Sequence, residues 1–229
     1  MSSIARDIIE STRAKILSPK REETPREAWS RATLSGRLAE ISNGEFPSAL
    51  TAAFGLVLDA QRQGEPVAWI TPEASCFFPP DAAEGGVDLC SLVVVRTPSS
   101  TRALRAADKL IRSGAFGLVV LDMTPTLALP RSGESWLARL LGLARKHDTA
   151  VVLLTEKRGE APSLSSLVSL RGESRRSPSP LSDGHGGEGP GVRLAREACL
   201  TVEIRVLKDK RRAPGWTHAE QCRGPAGLR

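Results

Sequence analysis

SGRLAEISNGEFPSALT, residues 35–51, is the stretch of sequence that decides the fold. It predicts a short strand over 37–41, a tight loop, and an amphipathic helix that ends at Gly64. A strand, a loop and a helix in this order form the frame of a phosphate-binding loop. The stretch therefore indicates that an α/β core begins here.

The loop of this frame lacks the residues that carry phosphate chemistry. In the pattern G-x-x-x-x-G-K-[S/T], the glycines expose backbone N–H groups, the lysine neutralises phosphate charge and the hydroxyl binds Mg²⁺. The corresponding residues in register are Asn43, Ser48, Ala49 and Leu50. We therefore expect the frame of a nucleotide site without its binding side chains, and no nucleotide cofactor.

Length and composition indicate one globular domain with an aliphatic core. The chain has 229 residues, of which 40% are hydrophobic, 25% charged and only 4% aromatic. Four dispersed cysteines and three histidines show no zinc-ligand spacing, so no metal site is expected. No apolar run suits export or a membrane span, which predicts a cytoplasmic protein. The net charge of +6 is compatible with nucleic acid or an acidic partner.

Strand and helix patterns alternate from Gly36 to Leu154. This alternation predicts an α/β fold with a mainly parallel central sheet and helices on both faces. An alternating pattern over 200–207 predicts an antiparallel edge near the C-terminus. We also expect a buried strand over 92–95 and a stiff apolar loop over 76–80. The inner face of the helix over 47–63 is predicted to consist of Leu50, Phe54, Val57 and Leu58.

Three segments are predicted along the chain. Residues 1–25 form an N-terminal helix and linker, and residues 26–214 form the core. A stretch rich in Gly, Ser and Pro predicts a flexible loop over 172–191 within that core. Residues 215–229 show little helical or strand pattern and are predicted to form a C-terminal tail.

The core resembles that of RecA recombinases. Besides the opening stretch, FGLVVLD at 116–122 resembles the Walker B strand, and DTAVVLLTE at 148–156 resembles the strand that ends in the switch residue. VLKDKRRAP at 206–214 resembles a late segment of the same core. A short RecA-like chain without the loop lysine resembles the ImuA branch, an accessory of bacterial SOS mutagenesis, with SulA-like cell-division inhibitors as an alternative.

This resemblance implies roles for three acidic positions. Glu73 matches the glutamate that activates water, and Asp122 matches the acid that helps to hold Mg²⁺. Glu156 stands where a glutamine senses the γ-phosphate, and a carboxylate there would repel it. The segments that match the two DNA-binding loops are short. We therefore expect a protein that is not an enzyme, with weak ATP turnover as the less favoured alternative.

Two kinds of partner follow from the resemblance. An adaptor would bind a RecA-like recombinase or a translesion polymerase complex, which includes an inactive Y-family polymerase-like subunit and a replicative-type polymerase. Its candidate contacts, inherited from subunit packing, are Ile4, Ile8, Ile9, Lys208 and Lys210. A DNA-binding repair protein, associated with the nucleoid, would instead use basic residues. The candidates for that alternative are Arg175, Arg176, Arg211 and Arg212, together with Lys208 and Lys210.

Overall fold

A computed structural model describes residues 29–44, 48–75, 77–124, 129–157, 159, 161–178 and 199–223. The predicted N-terminal helix, with Ile4, Ile8 and Ile9, lies outside the described residues, as does the greater part of the predicted flexible loop. The elements in chain order are α1 (Arg31–Leu34), β1 (Leu38–Asn43), α2 (Ala49–Arg62), β2 (Val67–Pro72), α3 (Pro79–Glu84), a 3₁₀ turn (Leu89–Ser91), β3 (Leu92–Thr97), α4 (Ser100–Arg112), β4 (Leu118–Asp122), α5 (Gly133–His147), β5 (Ala150–Thr155), β6 (Leu170–Pro178), β7 (Cys199–Asp209) and β8 (Thr217–Arg223).

The strands form one eight-stranded sheet in the order β3-β2-β4-β5-β1-β6-β7-β8. The pairs from β3 to β6 are parallel, while β6–β7 and β7–β8 are antiparallel. Strand β1 lies between β5 and β6, with Ala39 opposite both Val152 and Leu170. The predicted fold class is confirmed, including the antiparallel edge near the C-terminus.

Apolar side chains on the two faces of the sheet form two hydrophobic clusters. Because successive side chains of a strand point to opposite faces, Trp69 packs on the face covered by α2, and Ala68 and Ile70 pack on the face covered by α4 and α5. All three side chains are fully buried. The central parallel strands are therefore almost continuously apolar, as expected when helices cover both faces.

Helix α4 forms where the sequence predicts a helix. The Ser99 hydroxyl accepts a hydrogen bond from the Arg102 N–H, so it caps the first turn. Leu104, Ala107 and Ile111 of this helix are buried, and Leu110 is partly buried. Asp108 of the same helix pairs with Arg139 of α5 at 2.5 Å, and this contact joins the two helices.

Two predictions near the other edge of the sheet are wrong. The strand over 92–95 is buried only at Leu92, because β3 is the outermost strand and leaves Val93 44% and Val94 38% exposed. The predicted stiff loop instead contains the start of helix α3, with Pro79 at its first position. Proline suits that position because its fixed φ is helical and its missing N–H would have no partner there.

Two predictions near the C-terminus are also wrong. Residues 172–178, assigned to a flexible loop, belong to β6, and residues 217–223, assigned to a tail, form β8. Both segments are held by backbone pairing with β7, which needs no apolar pattern. Gly172 also has a packing role, since a Cβ there would lie 2.6 Å from Ile204 Cγ2 and 2.9 Å from the Trp29 ring.

A buried ion pair joins the first strand to the C-terminal strands. The Arg37 guanidinium lies 2.5 Å from Asp209 Oδ1, and both side chains are almost completely buried. Burial alone would raise the pKa of Asp209, but hydrogen bonds from the Arg211 N–H and from Arg37 hold it below its ordinary value. The pair therefore ties β1 to the end of β7 across the intervening β6.

Candidate binding cleft at the carboxyl ends of the strands

A cleft of about 690 Å³ lies at the carboxyl ends of β1, β4 and β5, between α2 and α3, with β8 at its side. Ligands commonly bind at this end of a parallel sheet. Of the positions predicted for the nucleotide site, the fold brings six to the cleft: Asn43, Ser48, Ala49, Leu50, Asp122 and Glu156. Glu73 is exposed and does not line it.

The N-terminus of α2 is bound by a side chain of the same chain. Asn43 Oδ1 accepts hydrogen bonds from the N–H groups of Ser48, at 3.1 Å, and Ala49, at 2.9 Å. Such N–H groups would otherwise be available to an anion. The next residue, Gly44, donates its N–H to the Ser174 carbonyl at 2.8 Å, which holds the end of β1 against β6. The carboxamide of Asn43 thus provides the acceptor for these two N–H groups.

Asp122 at the end of β4 is 2% exposed and fully engaged in hydrogen bonds. Its Oδ2 accepts from the hydroxyls of Thr71 and Ser75, each at 2.9 Å. Its Oδ1 accepts from the N–H of Thr124 at 3.0 Å and from the hydroxyl of that residue at 2.6 Å. Asp122 therefore holds together the segments that follow β2 and β4, as a bracing hydrogen-bond acceptor would.

Carboxylates dominate the polar lining of the cleft. Among the described residues that line it, the acidic ones are Asp81, Glu84, Asp122, Glu156 and Glu220, and Arg62 is the only basic one. Glu220 reaches the cleft from β8 and lies against Gly55 of α2, where a Cβ would overlap its carboxylate. The cleft is therefore negatively charged, although the whole chain carries a net charge of +6.

The apolar wall of the cleft comes from one face of α2. Leu50, Phe54 and Leu58 are only partly buried and line the cleft. The prediction that these three are buried is confirmed in part, since Leu50 and Phe54 pack against the hydrophobic core but also line the cleft, and Leu58 is only partly buried. Val57 is buried as predicted. The residues of α2 that are buried are Ala49, Ala52, Ala53, Leu56, Val57 and Ala60.

Aromatic rings extend this wall beneath the cleft. Phe54 stacks on Trp69, with ring centroids 4.8 Å apart and an angle of 11° between the rings. Phe77 contacts both of them, with centroid distances of 5.8 and 5.4 Å. Its neighbour Phe78, which also lines the cleft, is 57% exposed. Three of the five phenylalanines thus lie in or beside the cleft.

A buried carboxylate beside the cleft was not anticipated from the sequence. Glu40, in the middle of β1, is fully buried and accepts from the Thr155 hydroxyl at 2.9 Å and from the Leu164 N–H at 2.8 Å. The Lys157 ammonium lies 3.3 Å from the same carboxylate. The available signal was an acid at the centre of an apolar strand, a position where a charge needs partners. Glu40 fixes the segment after β5 against β1.

The predicted partner-binding lysines lie at the end of β7 and outside the cleft lining. Lys210 Nζ donates to the Ser166 carbonyl at 2.6 Å, and Lys208 Nζ lies 3.4 Å from the Ser163 hydroxyl. Burial, and next the charge of Lys210, lower the pKa of Lys208. Both ammonium groups therefore contact the segment between β5 and β6.

The four predicted DNA-binding arginines do not form one patch. Arg211 and Arg212 follow β7, next to the start of β6, whereas Arg175 and Arg176 lie further along β6. Arg175 is four residues beyond Arg171, or about 13 Å along the strand. Arg175 also pairs with the buried Glu173 at 2.9 Å. The fold thus separates the arginines into two pairs.

Two absences concern the described part of the chain. Across those ranges, no group of three His, Cys, Asp or Glu side chains lies close enough together to hold a metal ion. None of the described helices combines the length and apolar character needed to cross a membrane.

Comparison with known proteins shows similarity to one family. A family model described as the RecA N-terminal domain matches residues 31–134, from α1 to the start of α5. Protein RecA of Nocardioides sp. is 42% identical over 98 residues, which cover 42% of this chain and 27% of the relative. Protein RecA of Mycobacterium leprae is 36% identical over 126 residues, covering 51% and 17%, and that of Rickettsia massiliae is 32% identical over 123 residues, covering 52% and 35%. The chain thus spans about a third or less of the length of these relatives.

Proposed function

We propose that this chain, which carries a RecA-like core, is a non-catalytic adaptor of the bacterial DNA-damage response. In this proposal it docks on a RecA-like recombinase or on a translesion polymerase complex, as the resemblance to the ImuA branch implies. The similar proteins are RecA proteins, so a role in recombination or the DNA-damage response is the common expectation for such a core.

The geometry of the cleft supports the non-catalytic part of the proposal. A bound nucleotide needs N–H donors and cations around its phosphates. Here the Asn43 carboxamide already accepts from the N–H groups at the start of α2, and Ala49 and Leu50 stand in the lysine and hydroxyl positions. Glu156 also lines the cleft and would repel phosphate. A nucleotide would therefore meet negative charge where it needs positive charge.

The observation that carries the adaptor part is the uncovered apolar edge of the sheet. Within the described residues, β3 pairs with β2 alone, and Val93 and Val94 are 44% and 38% exposed. Leu89, in the 3₁₀ turn that leads into β3, is 39% exposed. Native proteins usually protect such edges with charges, prolines or covering elements, because an apolar edge strand pairs readily with another chain. We infer that this edge is the docking surface.

Direct DNA binding receives less support from the structure. A phosphate-binding surface needs several cations on one face, and the candidates lie in two separate groups, one on β6 and one over residues 208–212. In the first group Arg175 is paired with Glu173, and in the second both lysines contact the segment between β5 and β6. A SulA-like inhibitor of cell division would also act by binding a protein. Binding to RecA filaments or to a translesion polymerase complex, measured in the experiment below, distinguishes the proposed adaptor from such an inhibitor.

The proposal is tested by measuring binding of the full chain to RecA filaments on single-stranded DNA, and to a purified translesion polymerase complex, by surface plasmon resonance. Val93→Asp with Val94→Asp adds charge to the edge strand and should weaken binding at least about tenfold. The matched control, Ser135→Asp with Ala138→Asp, adds the same charge to exposed positions of α5 and should bind like wild type. Wild-type chain that binds neither assembly, or edge variants that bind normally, would disprove the proposal.

A further inference from the structure

We infer that the cleft between α2 and α3 is a second docking site, and that its occupant is a short basic segment of a partner protein that also carries large apolar side chains. This inference rests on the proposed function in one respect only, namely that no nucleotide fills the cleft. The cleft is a different surface from the β3 edge, since no residue of β3 lines the cleft.

The apolar wall has the dimensions of a peptide groove. Leu50, Phe54 and Leu58 follow each other at intervals of four residues on one face of α2, so they form a stripe about 12 Å long. Phe77 and Phe78, at the start of α3, also line the cleft, and the Phe77 ring contacts that of Phe54. The volume of about 690 Å³ lies within the range of ligand-binding clefts. A few apolar side chains of a partner segment would fill it.

The negative charge of the lining favours a positively charged occupant. Asp81 and Glu156 are exposed acids of the lining, and Glu220 is partly buried. Within the described part of the chain, the carboxylates of these three residues have no hydrogen-bond or ion-pair partner, whereas that of Asp122 is engaged. Opposite charge across an interface steers association and excludes partners of the wrong sign. Lysine or arginine side chains of a partner would therefore meet the carboxylates at the margin of the apolar stripe.

The approach of Glu220 to α2 requires a particular residue on the helix. Gly55 lies one turn beyond Thr51 on the cleft side of α2, and a Cβ at this position would overlap the Glu220 carboxylate. Glycine in the middle of a helix is destabilising relative to alanine. Gly55 therefore disfavours the helix but leaves room for the Glu220 carboxylate of β8 in the cleft.

The test uses the full-length chain and three fluorescein-labelled twelve-residue peptides, with binding followed by fluorescence anisotropy. The first peptide combines arginine with leucine and phenylalanine, the second has glutamate in place of arginine, and the third has serine in place of the apolar residues. We expect the first to bind, and the other two to bind at least about tenfold more weakly, because one lacks the positive charges and the other lacks the apolar side chains. Equal binding of all three, or no binding of the first at about 1 mM, overturns the inference.

Variants locate the site on the chain. Glu156→Gln with Glu220→Gln removes two charges from the cleft and should weaken binding of the first peptide about tenfold, with a smaller salt dependence. Phe78→Ala, at a side chain that is 57% exposed, should weaken it without loss of stability. Glu73→Gln removes an exposed charge outside the cleft and should change nothing. If the cleft variants bind like wild type, the inference is wrong even when binding through the β3 edge is intact.

Two outcomes separate this inference from the proposed function. Val93→Asp with Val94→Asp should still bind the peptide, because β3 does not line the cleft. Mg·ATP should not displace the peptide, and displacement would show that nucleotide binds the cleft, which would overturn the premise that the inference takes from the proposed function. Loss of the β3 interaction alone, with the peptide still bound, would leave the inference standing.

Discussion

The side-chain oxygen of Asn43 lies 2.9 Å from the backbone nitrogen of Ala49 and accepts its hydrogen. In sequence register these are the positions of the first glycine and the lysine of a phosphate-binding loop. Asn43 therefore supplies an acceptor for the N–H groups at the start of α2, and Ala49 offers no cation that would favour an anion there. The two residues lie at the two ends of the same loop.

We predict that nucleotide does not stabilise the chain. Ligand that binds only the folded state raises stability by RT ln(1 + [L]/Kd), so millimolar Mg·ATP would reveal even a weak site in a thermal melt. The expected result is an unchanged Tm and no ATP hydrolysis above background. A rise of several degrees that Asp122→Ala abolishes would show that the cleft binds Mg·ATP.

The sequence predicts the sheet well because its signals are local. Strands β4 and β5 are continuous apolar runs, and such runs are typical of a parallel sheet covered on both faces. Strand β8 escaped prediction because THAEQCR has no apolar alternation. Its position depends on backbone pairing with β7, which the sequence of β8 does not indicate.

The sequence places the candidate site at the end of strands of the sheet but does not predict which side chains line it. Periodicity identifies α2 as a helix, but it does not tell which of two apolar faces meets the sheet. The alanines of α2, with Leu56 and Val57, are buried, whereas Leu50, Phe54 and Leu58 are partly exposed and line the cleft. Glu220 enters the lining from a strand 165 positions after Gly55 along the chain. Long-range neighbours of this kind arise only from the folded topology.

A second prediction concerns the buried Arg37–Asp209 pair. Asp209→Asn should lower the free energy of unfolding at pH 7 by about 3–5 kcal/mol, because it leaves the buried Arg37 charge without its partner. Urea denaturation measures this difference. The matched control is Asp81→Asn, at an exposed carboxylate of α3, which should change stability by less than about 0.5 kcal/mol.

The same pair gives a pH dependence. The pKa of Asp209 is lower in the folded than in the unfolded chain, so its contribution is complete above the ordinary Asp value of about 3.9 and disappears as the pH falls through the folded value. The stability difference between wild type and Asp209→Asn should therefore shrink below about pH 4. A difference that stays constant from pH 7 to pH 3 would contradict the assigned role of the carboxylate.

A third prediction concerns DNA. Because the candidate arginines form two separate pairs, we expect weak binding to single-stranded DNA that disappears at physiological salt, with few phosphate contacts. Fluorescence anisotropy over a salt series measures the number of contacts. Tight binding at physiological salt that is lost in Arg175→Glu with Arg176→Glu, but not in Arg211→Glu with Arg212→Glu, would favour the DNA-binding alternative and place it on β6.

The last prediction separates the β3 edge from the surfaces that the RecA-like resemblance suggests. If the N-terminal segment docks on the partner, Ile8→Asp with Ile9→Asp should abolish binding to RecA filaments or to the polymerase complex, because burial of each isoleucine contributes about 1.5–3 kcal/mol. Lys208→Glu with Lys210→Glu tests the other suggested surface. Each lysine contacts the segment after β5, so the Lys→Gln pair is the control for a purely structural effect. If the Glu variant fails to bind and the Gln variant binds, charge at the end of β7 is needed for docking. If both lysine variants and the isoleucine variant bind like wild type while Val93→Asp with Val94→Asp does not, the edge strand carries the interaction alone.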